Sequence, residues 1–282
     1  MTLDSTIEYL VIGDPVAHSR SPQMQNAAFE FYGMGRPYDK LRVDPAKIGD
    51  FVDFARKHLK GVNLTVPHKQ VVIPFVDELS PQAAVCQSVN TLKITAGKVY
   101  GFSTDGAGVS GAVLNNFGLS LKGLNVVMLG AGGAATATAF ELGWQKCATL
   151  TIANRTLAKG EELAQKVREA LPGTQICAIA LDNREMLSSA LKKADLLLQM
   201  TSLGLHDGDP APMPLELLEV NTSLHVFDAI YRSTPLLERA RALGLAAADG
   251  SDMLIFQGAA SFEIWTGKKA PLAEMRRGFN QI

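Results

Sequence analysis

The 282-residue sequence has few of the features that mark metal-binding or disulfide-stapled proteins. It contains three cysteines, Cys86, Cys147 and Cys177, and no two of them have the spacing of a zinc site or of a disulfide framework. No His-Glu-x-x-His spacing occurs either, so we expect no catalytic metal. Unpaired thiols are typical of proteins kept in a reducing compartment.

An excess of charge of one sign is also missing. Lys and Arg total 27 and Asp and Glu total 28, which gives a formal net charge of −1. We therefore expect neither nucleic acid nor a membrane surface as a partner. Residues 1–9 carry Asp4 and Glu8 and lack the basic flank and apolar run of a signal peptide, which favours a cytoplasmic location together with the free thiols.

One long uncharged run, residues 123–140, is not expected to cross a membrane. Glycines interrupt it, and Gly130, Gly132 and Gly133 lie at its centre. Glycines grouped in this way fit a tight turn between a strand and a helix better than a membrane span.

The length and the hydrophobic pattern predict an α/β protein of two domains. At roughly 150 residues per domain, the chain is long enough for two cores, and 47% of its residues are hydrophobic. Short apolar runs alternate with helical patterns, as in βα units on a mostly parallel sheet. The predicted strands are 9–12, 38–43, 61–66, 91–95, 98–102, 124–129, 149–153, 175–180, 195–200, 225–230 and 245–248. The predicted helices are 22–31, 45–59, 134–142, 157–171, 184–193, 235–243 and 252–265.

A dinucleotide-binding fingerprint follows strand 124–129. Gly130, Gly132 and Ala135 have the fingerprint spacing and precede a predicted helix. Glycine lets the backbone approach a pyrophosphate, and the helix N-terminus stabilises its charge. A purely structural turn is the alternative. The residues expected to contact the cofactor are Gly130, Ala131, Gly132, Gly133 and Ala134.

The end of the next strand indicates which cofactor is bound. Asn154, Arg155 and Thr156 occupy the place where an NAD enzyme carries an acid for the ribose hydroxyls. Arg155 offers a planar fork for a 2′-phosphate, and Lys159 lies one helical turn beyond it. The sequence therefore predicts NADP, with a solvated basic helix start as the alternative.

Three polar clusters in the first part of the chain could supply the proton partner that nicotinamide chemistry needs. They lie at residues 18–22, at residues 63–69, and at Asn90 with residues 104–105. Each is at the end of a predicted strand or the start of a helix, where an α/β sheet binds ligands. His18 and His68 compete with a lysine for the proton-carrying role.

These clusters resemble the motifs of the shikimate dehydrogenase family. The matching runs are HSRSP at 18–22, NLTVPHK at 63–69, VNT at 89–91, STDG at 103–106, GAGGA at 130–134, NRT at 154–156, TSLG at 201–204 and DGSDML at 249–254. The resemblance spans nearly the whole chain, in order.

The resemblance implies a substrate domain formed by residues 1–105 and 252–282, and a Rossmann-type NADP domain formed by residues 106–251. It makes Lys69 and Asp105 the catalytic pair, with Lys69 handling the proton of the hydroxyl that becomes a ketone. It assigns the substrate carboxylate to Ser19, Ser21, Thr65 and Tyr231. It assigns the ring hydroxyls to Asn63, Asn90, Asp105 and Gln257. It adds to the cofactor site Thr201, Ser202 and Gly250.

Several of these residues also have an ordinary structural explanation. Ser21 could be a helix N-cap before Pro22, Asn63 a turn residue at a strand end, and Gln257 a polar group on a helix face.

The implied reaction is the reversible, NADP-dependent oxidation of shikimate to 3-dehydroshikimate, a step of aromatic amino acid biosynthesis. Alternatives with the same fold are quinate and aminoshikimate dehydrogenases, and an NADP-binding sensor without catalysis is a third. The oligomeric state, monomer or homodimer, is left open.

The chain departs from the family pattern at three places. Ser103 replaces the usual asparagine before Thr104. Gln199 and Met200 stand where asparagine and a small residue or proline are usual, and residues 87–88 are Gln-Ser before Val-Asn. The catalytic residues remain, so these departures indicate a divergent subclass.

Overall fold

A computed structural model describes residues 4–281. The first three residues and Ile282, which belong to the predicted substrate domain, lie outside the described residues, as does the start of the segment 1–9. Contacts within the chain define two compact units. The first is Met1–Gly108 with Leu254–Ile282, and the second is Val109–Met253.

The strands are β1 (Tyr9–Gly13), β2 (Tyr38–Arg42), β3 (Gly61–Leu64), β4 (Glu78–Leu79), β5 (Thr91–Thr95), β6 (Lys98–Phe102), β7 (Asn125–Leu129), β8 (Thr149–Asn154), β9 (Gln175–Ala180), β10 (Leu196–Gln199), β11 (His225–Asp228) and β12 (Ala247–Ala248). The helices are α1 (Ser21–Phe31), α2 (Ile48–His58), α3 (His68–Val71), α4 (Pro81–Cys86), α5 (Asp105–Phe117), α6 (Gly133–Trp144), α7 (Leu157–Ala170), α8 (Arg184–Lys193), α9 (Pro235–Ala242), α10 (Ser251–Thr266) and α11 (Leu272–Asn280). Short 3₁₀ helices occupy Pro45–Lys47, Ile73–Phe75 and Leu215–Val220.

The first unit contains a six-stranded mixed sheet in the order β2-β1-β3-β5-β6-β4. β1 pairs in parallel with β2 and β3, whereas β5 runs antiparallel to β3 and β6. The predicted hairpin of β5 and β6 is confirmed with its bounds. Ala96 and Gly97 form its turn with positive φ angles of 52° and 74°, as a two-residue hairpin turn requires.

Helix α2 shows how the sequence pattern builds the core of this unit. Ile48, Phe51, Val52 and Ala55 recur at helical spacing and are all buried. They join a cluster that includes Leu10 and side chains from β3 and β5. The first turn of the predicted helix 45–59 is a 3₁₀ helix instead.

Helix α10 completes the first unit from the far end of the sequence. The indole nitrogen of Trp265 donates to the carbonyl of Leu92 at 2.8 Å. A Cβ on Gly61 would lie 2.4 Å from that nitrogen, so only glycine lets β3 pass the indole. The sheet of the first unit is therefore packed against α10, which follows the strands of the second unit in the sequence.

The second unit contains six parallel strands in the order β12-β11-β10-β7-β8-β9. The strand order reverses between β7 and β10, which is the switch point where open α/β sheets bind ligands. The uncharged run 123–140 forms β7, a turn and α6, which confirms the predicted strand-turn-helix. In the described part of the chain, no helix has both the length and the apolar character needed to cross a membrane.

Some elements differ from the prediction. The strands predicted at 61–66, 195–200 and 225–230 are shorter, because the residues that follow β3, β10 and β11 leave the sheet to form loops, and the strand predicted at 245–248 begins only at Ala247. Strand β4 and helices α3, α4, α5 and α11 were not predicted. In α5, three glycines weaken the helical signal, yet Val109, Ala112 and Val113 are buried and give it an apolar face.

Candidate active site

A lysine and an aspartate form an ion pair in the first unit. Lys69 lies in α3, and its Nζ is 2.5 Å from Oδ2 of Asp105. The Lys69 side chain is 21% exposed and that of Asp105 is 6% exposed, so solvent reaches the ammonium but hardly the carboxylate. Asp105 opens α5, where the N-terminal end of a helix favours a negative charge.

Asn90 orients this pair from the other side. Its Nδ2 donates to Oδ1 of Asp105 at 2.8 Å and to Oγ1 of Thr104 at 2.9 Å. Its Oδ1 accepts from the backbone N–H of Thr104 at 2.8 Å. One carboxylate oxygen of Asp105 thus faces Asn90 and the other faces Lys69, which leaves the aspartate a single orientation.

The same network reaches Asn63 and Gln257. Nδ2 of Asn90 lies 3.3 Å from Oε1 of Gln257, and Nε2 of Gln257 donates to the carbonyl of Leu254 at 2.9 Å. Nδ2 of Asn63 lies 3.3 Å from the carbonyl of Asn90. Gln257 is therefore part of this polar cluster rather than a polar group on an exposed helix face.

Ser19, Ser21 and Thr65 also lie in the first unit. The backbone N–H of Ser21 donates to Oγ of Ser19 at 3.3 Å. The N-cap explanation for Ser21 is wrong, since Arg20 occupies the N-cap position of α1 without a side-chain hydrogen bond. Ser21 is buried. Thr65 is half-buried immediately after β3.

The histidines that compete with Lys69 have unsuitable environments. His68 is fully buried, and neither ring nitrogen has a hydrogen-bond partner in the described part of the chain. Burial lowers the pKa of His68, so the ring stays neutral at physiological pH. His18 is exposed. The lysine, by contrast, is half-buried and lies against a carboxylate.

The glycine turn of the second unit has the space that a pyrophosphate needs. Gly130 has a φ of +107°, and a Cβ there would lie 3.0 Å from the methyl of Thr201. Gly132 is the N-cap of α6 without a side-chain hydrogen bond. A Cβ on Gly132 or Gly133 would meet nothing within 4 Å, so the helix N-terminus is open to an anion. These residues fit the phosphates of a dinucleotide.

Two basic residues follow β8, and one of them borders a second open space. Arg155 and Lys159 are both exposed. Arg155 borders a cavity of about 500 Å³ whose other lining residues include Asp182, Arg184 and residues 211–214. Nδ2 of Asn154 donates to the carbonyl of Thr156 at 2.8 Å and holds the turn before α7. Both cations are therefore free to meet a phosphate.

Gln199, one of the departures from the family pattern, braces the loop that carries Thr201 and Ser202. Its Oε1 accepts from the N–H of Thr201 at 2.5 Å, and its Nε2 donates to the carbonyl of Leu203 at 3.0 Å. The same nitrogen lies 3.3 Å from Oδ1 of Asp228. Gln199 and Asp228 are fully buried, so the longer amide anchors the loop at the switch point of the sheet.

Gly250 and Tyr231 lie in the second unit. A Cβ on Gly250 would be 2.1 Å from the carbonyl oxygen of Ala229, so close backbone packing requires glycine there. Tyr231 follows β11 and is half-buried. The second unit thus holds Tyr231, whereas the first holds its predicted partners Ser19, Ser21 and Thr65.

The two other departures also have a visible consequence. Gln87 ends α4 with φ +49° and ψ 42°, a left-handed conformation that favours glycine. Its side chain donates to the carbonyl of Ala84 at 2.6 Å. The hydroxyls of Ser88 and Ser103 are buried without a hydrogen-bond partner in residues 4–281.

Two buried residues of the network, Tyr38 and Ser261, were not predicted from the sequence. The hydroxyl of Tyr38 donates to Oδ1 of Asn63 at 2.7 Å, and Oγ of Ser261 lies 3.0 Å from Nδ2 of Asn63. Ser261 lies one helical turn after Gln257, and this spacing was a usable signal. Within residues 4–281, no group of three His, Cys, Asp or Glu side chains could hold a metal ion.

The fold and these residues define an α/β protein with an N-terminal substrate-binding domain and a Rossmann-type NADP-binding domain. Comparison with known families gives three matches in chain order. Residues 11–92 match the "Shikimate dehydrogenase substrate binding domain", residues 112–204 match "Shikimate / quinate 5-dehydrogenase", and residues 250–277 match the "Shikimate 5'-dehydrogenase C-terminal domain".

Whole-chain similarities agree with these matches. The shikimate dehydrogenase (NADP(+)) of Methanopyrus kandleri is 38% identical over 94% of this chain and 92% of the relative. The crystal structure of shikimate 5-dehydrogenase from Thermus thermophilus, in complex with NADP(H) and shikimate, is 32% identical and has a TM-score of 0.86, covering 98% of this chain and 99% of that one. A quinate dehydrogenase from Corynebacterium glutamicum in complex with NAD is 28% identical with a TM-score of 0.88, covering 98% and 99%. The chain belongs to the shikimate dehydrogenase family.

The buried carboxyl of Asp228 makes folding stability depend on pH. Burial raises its pKa to about 6 from an ordinary value of 3.8, although hydrogen bonds from Ile230, Thr234 and Gln199 oppose the rise. The folded state therefore keeps a proton that the unfolded state loses, and this group lowers the free energy of unfolding as the pH rises from about 4 to about 6. At 1.36 kcal/mol per pKa unit the loss is about 3 kcal/mol.

Asp228→Asn should remove this loss. The difference in the free energy of unfolding, variant minus parent protein, should increase by about 3 kcal/mol from pH 4 to pH 7, as measured by urea titration. Asp209→Asn is the control, because backbone N–H groups of His206 and Gly204 lower the pKa of that half-buried carboxyl and its effect should not change above about pH 5. A constant difference for Asp228→Asn over the same range would contradict the assignment.

Proposed function

We propose that this chain is an NADP-dependent dehydrogenase that reversibly oxidises shikimate to 3-dehydroshikimate. The observation that carries the proposal is the ion pair of Lys69 and Asp105, oriented by Asn90, on residues that match the family's motifs. The NADP-dependent relatives, similar over most of their length, support the same reaction.

Lys69 is the proton carrier of the proposed mechanism. In the reductive direction, its ammonium donates a proton to the ketone oxygen of the substrate as that oxygen gains charge. In the oxidative direction, its amine accepts the hydroxyl proton. Asp105 lies 2.5 Å away and keeps the side chain in place in both directions. NADP, when bound, supplies the hydride acceptor or donor.

Hydroxyl and carboxamide side chains, with the carboxylate of Asp105, hold the substrate in this proposal. Ser19, Ser21, Thr65 and Tyr231 provide hydroxyl donors for the carboxylate. Carboxamides both donate and accept, so they suit neighbouring ring hydroxyls. We assign this role to Asn63, Asn90 and Gln257, together with Asp105.

The Rossmann-type unit is proposed to hold NADP. The glycine turn from Gly130 to Ala134 receives the pyrophosphate at the N-terminus of α6. Arg155 and Lys159 bind the 2′-phosphate, and Asn154 and Thr156 shape the turn before α7. Thr201, Ser202 and Gly250 complete the proposed cofactor site. The proposed domain division is 1–105 with 252–282 for substrate and 106–251 for NADP.

We assign the protein to the cytoplasm and to the pathway that leads to aromatic amino acids. Cys86, Cys147 and Cys177 form no disulfide among the described residues, and reduced thiols suit a reducing compartment. The name of the Methanopyrus kandleri relative supports the pathway step.

Quinate oxidation is the second candidate activity. It is favoured by the family description "Shikimate / quinate 5-dehydrogenase" and by the similar Corynebacterium glutamicum enzyme, which is a quinate dehydrogenase in complex with NAD. Quinate shares the carboxylate and ring hydroxyls that the proposed site binds.

The deciding experiment is the initial rate of nicotinamide reduction, followed by absorbance, for shikimate and quinate with NADP and with NAD. We expect turnover with shikimate and NADP. A rate with quinate alone would move the substrate and keep the mechanism. Absence of turnover with both acids, while NADP still binds, would support a sensor.

Lys69→Ala should lower kcat by roughly 10²- to 10⁴-fold, because general acid-base catalysis is lost, while NADP binding measured by fluorescence titration should not change. Lys57→Ala, an exposed change on α2, is the control and should keep full activity. A near-normal rate for Lys69→Ala would exclude the lysine as the proton carrier.

Arg155→Ala should raise the Kd for NADP by roughly 10- to 100-fold and leave the Kd for NAD nearly unchanged, since only NADP carries the 2′-phosphate. Lys192→Ala, an exposed cation of the same unit, should affect neither Kd. Equal weakening of both cofactors would refute the 2′-phosphate assignment.

A further inference from the structure

The carboxamide of Asn63 is surrounded by partners on both of its ends. Its Oδ1 accepts from the hydroxyl of Tyr38 at 2.7 Å. Its Nδ2 lies 3.0 Å from Oγ of Ser261, 3.1 Å from Oγ1 of Thr91 and 3.3 Å from the carbonyl of Asn90. Asn63 is 6% exposed, so these contacts decide which way the amide faces.

The backbone carbonyl of Asn90 makes the two ends of the amide unequal. A carbonyl oxygen only accepts hydrogen bonds, so a rotated amide would place the oxygen of Asn63 against another acceptor. The nitrogen must therefore face Asn90, and the oxygen must face Tyr38. Because an unsatisfied buried acceptor is costly, this orientation needs the hydroxyl of Tyr38 as a donor.

Ser261 restricts the nitrogen end by the same logic. Its Oγ donates to the carbonyl of Gln257 at 3.0 Å, which commits its one proton. The oxygen of this fully buried serine is left to accept from Asn63 and from Thr91, whose Oγ1 lies 2.7 Å away. The N–H groups of Asn63 thus donate their hydrogen bonds to acceptors within the protein.

The phenol of Tyr38 is suited to donate to the oxygen end. Burial raises the pKa of Tyr38 well above its ordinary value, so the hydroxyl keeps its proton. That proton goes to Oδ1 of Asn63, 2.7 Å away. Tyr38 therefore acts as the hydrogen-bond donor to the Asn63 oxygen.

We propose that Tyr38 and Ser261 are positioning residues. They fix the Asn63 carboxamide so that its oxygen accepts a hydrogen bond from a substrate hydroxyl. The carboxamide oxygen has two lone pairs, of which Tyr38 occupies one. The other accepts the proton of a ring hydroxyl, whereas the nitrogen has no proton left for the substrate. This inference rests on the proposed function, because it takes Asn63 to contact a cyclic polyol acid.

The test is a double-variant cycle of Tyr38→Phe and Asn63→Ala, followed by the KM for shikimate and by its Kd from calorimetry. Tyr38→Phe should raise both constants about tenfold, because the amide oxygen loses the donor that orients it. The KM for NADP and kcat should stay within about threefold. The double variant should bind shikimate no more weakly than Asn63→Ala alone, since Tyr38 acts only through Asn63.

Tyr9→Phe is the matched control. Tyr9 is the register partner of Tyr38 on the neighbouring strand, is also buried, and also packs its ring against Trp265. It should leave the KM and Kd for shikimate unchanged, and all variants should be compared at similar thermal midpoints. If Tyr38→Phe does not fold, Ser261→Ala takes its place in the cycle, with the same expected non-additivity.

Additive losses in the double variant, or an unchanged Kd for shikimate in Tyr38→Phe, would overturn the positioning role. Because the Kd is measured without turnover, these outcomes differ from failure of the proposed function, which would appear as an inactive parent protein. A series of shikimate analogues gives the second readout. In each of them one ring hydroxyl is replaced by fluorine, which cannot donate a hydrogen bond. One such analogue should lose about tenfold in affinity for the parent protein and nothing for Asn63→Ala.

Discussion

The carboxylate of Asp105 imposes the constraint on which the first unit depends. A charge withdrawn from water is tolerated only when opposite charge and hydrogen bonds replace the lost solvation. Lys69 supplies the charge and Asn90 the hydrogen bond, and each must then be held in turn. Thr104 and Gln257 bond to Asn90 in turn. One buried carboxylate is therefore connected by hydrogen bonds to a series of polar side chains from β3, β5, α5 and α10.

Much of the fold could be predicted, and the reasons for the misses are physical. Periodicity predicted α2, the hairpin of β5 and β6, and the strand-turn-helix around Gly130 because each is decided by local pattern. Helix α5 escaped because its glycines lower helix propensity, and only burial of its apolar face stabilises it. The ends of β3, β10 and β11 were not predicted, because the chain leaves the sheet there to form loops and the local hydrophobic pattern does not show where a strand ends.

The candidate site was likewise predicted only in part. Lys69, Asp105 and Asn90 stand in recognisable motifs, and the structure brings them into contact. Tyr38 and Ser261 are separated from Asn63 by 25 and 198 positions, and no motif surrounds them. The arrangement also shows how a departure is accommodated. Gln199 fills a buried site with the longer amide and still bonds the loop and Asp228.

The hydrogen bond between Trp265 and Leu92 has a consequence for the order in which the protein is made. A ribosome releases β1 to β6 long before α10, so the nascent first sheet waits through the synthesis of the whole Rossmann-type unit, at roughly 5–20 residues per second. During that interval the carbonyl of Leu92 and the amide of Asn63 lack the partners that α10 brings. The Rossmann-type unit, contiguous in sequence, can fold as it emerges. The substrate-binding unit is complete only after α10 has been synthesised, so a chain cut short before α10 has the means to bind nucleotide before it has the means to use it.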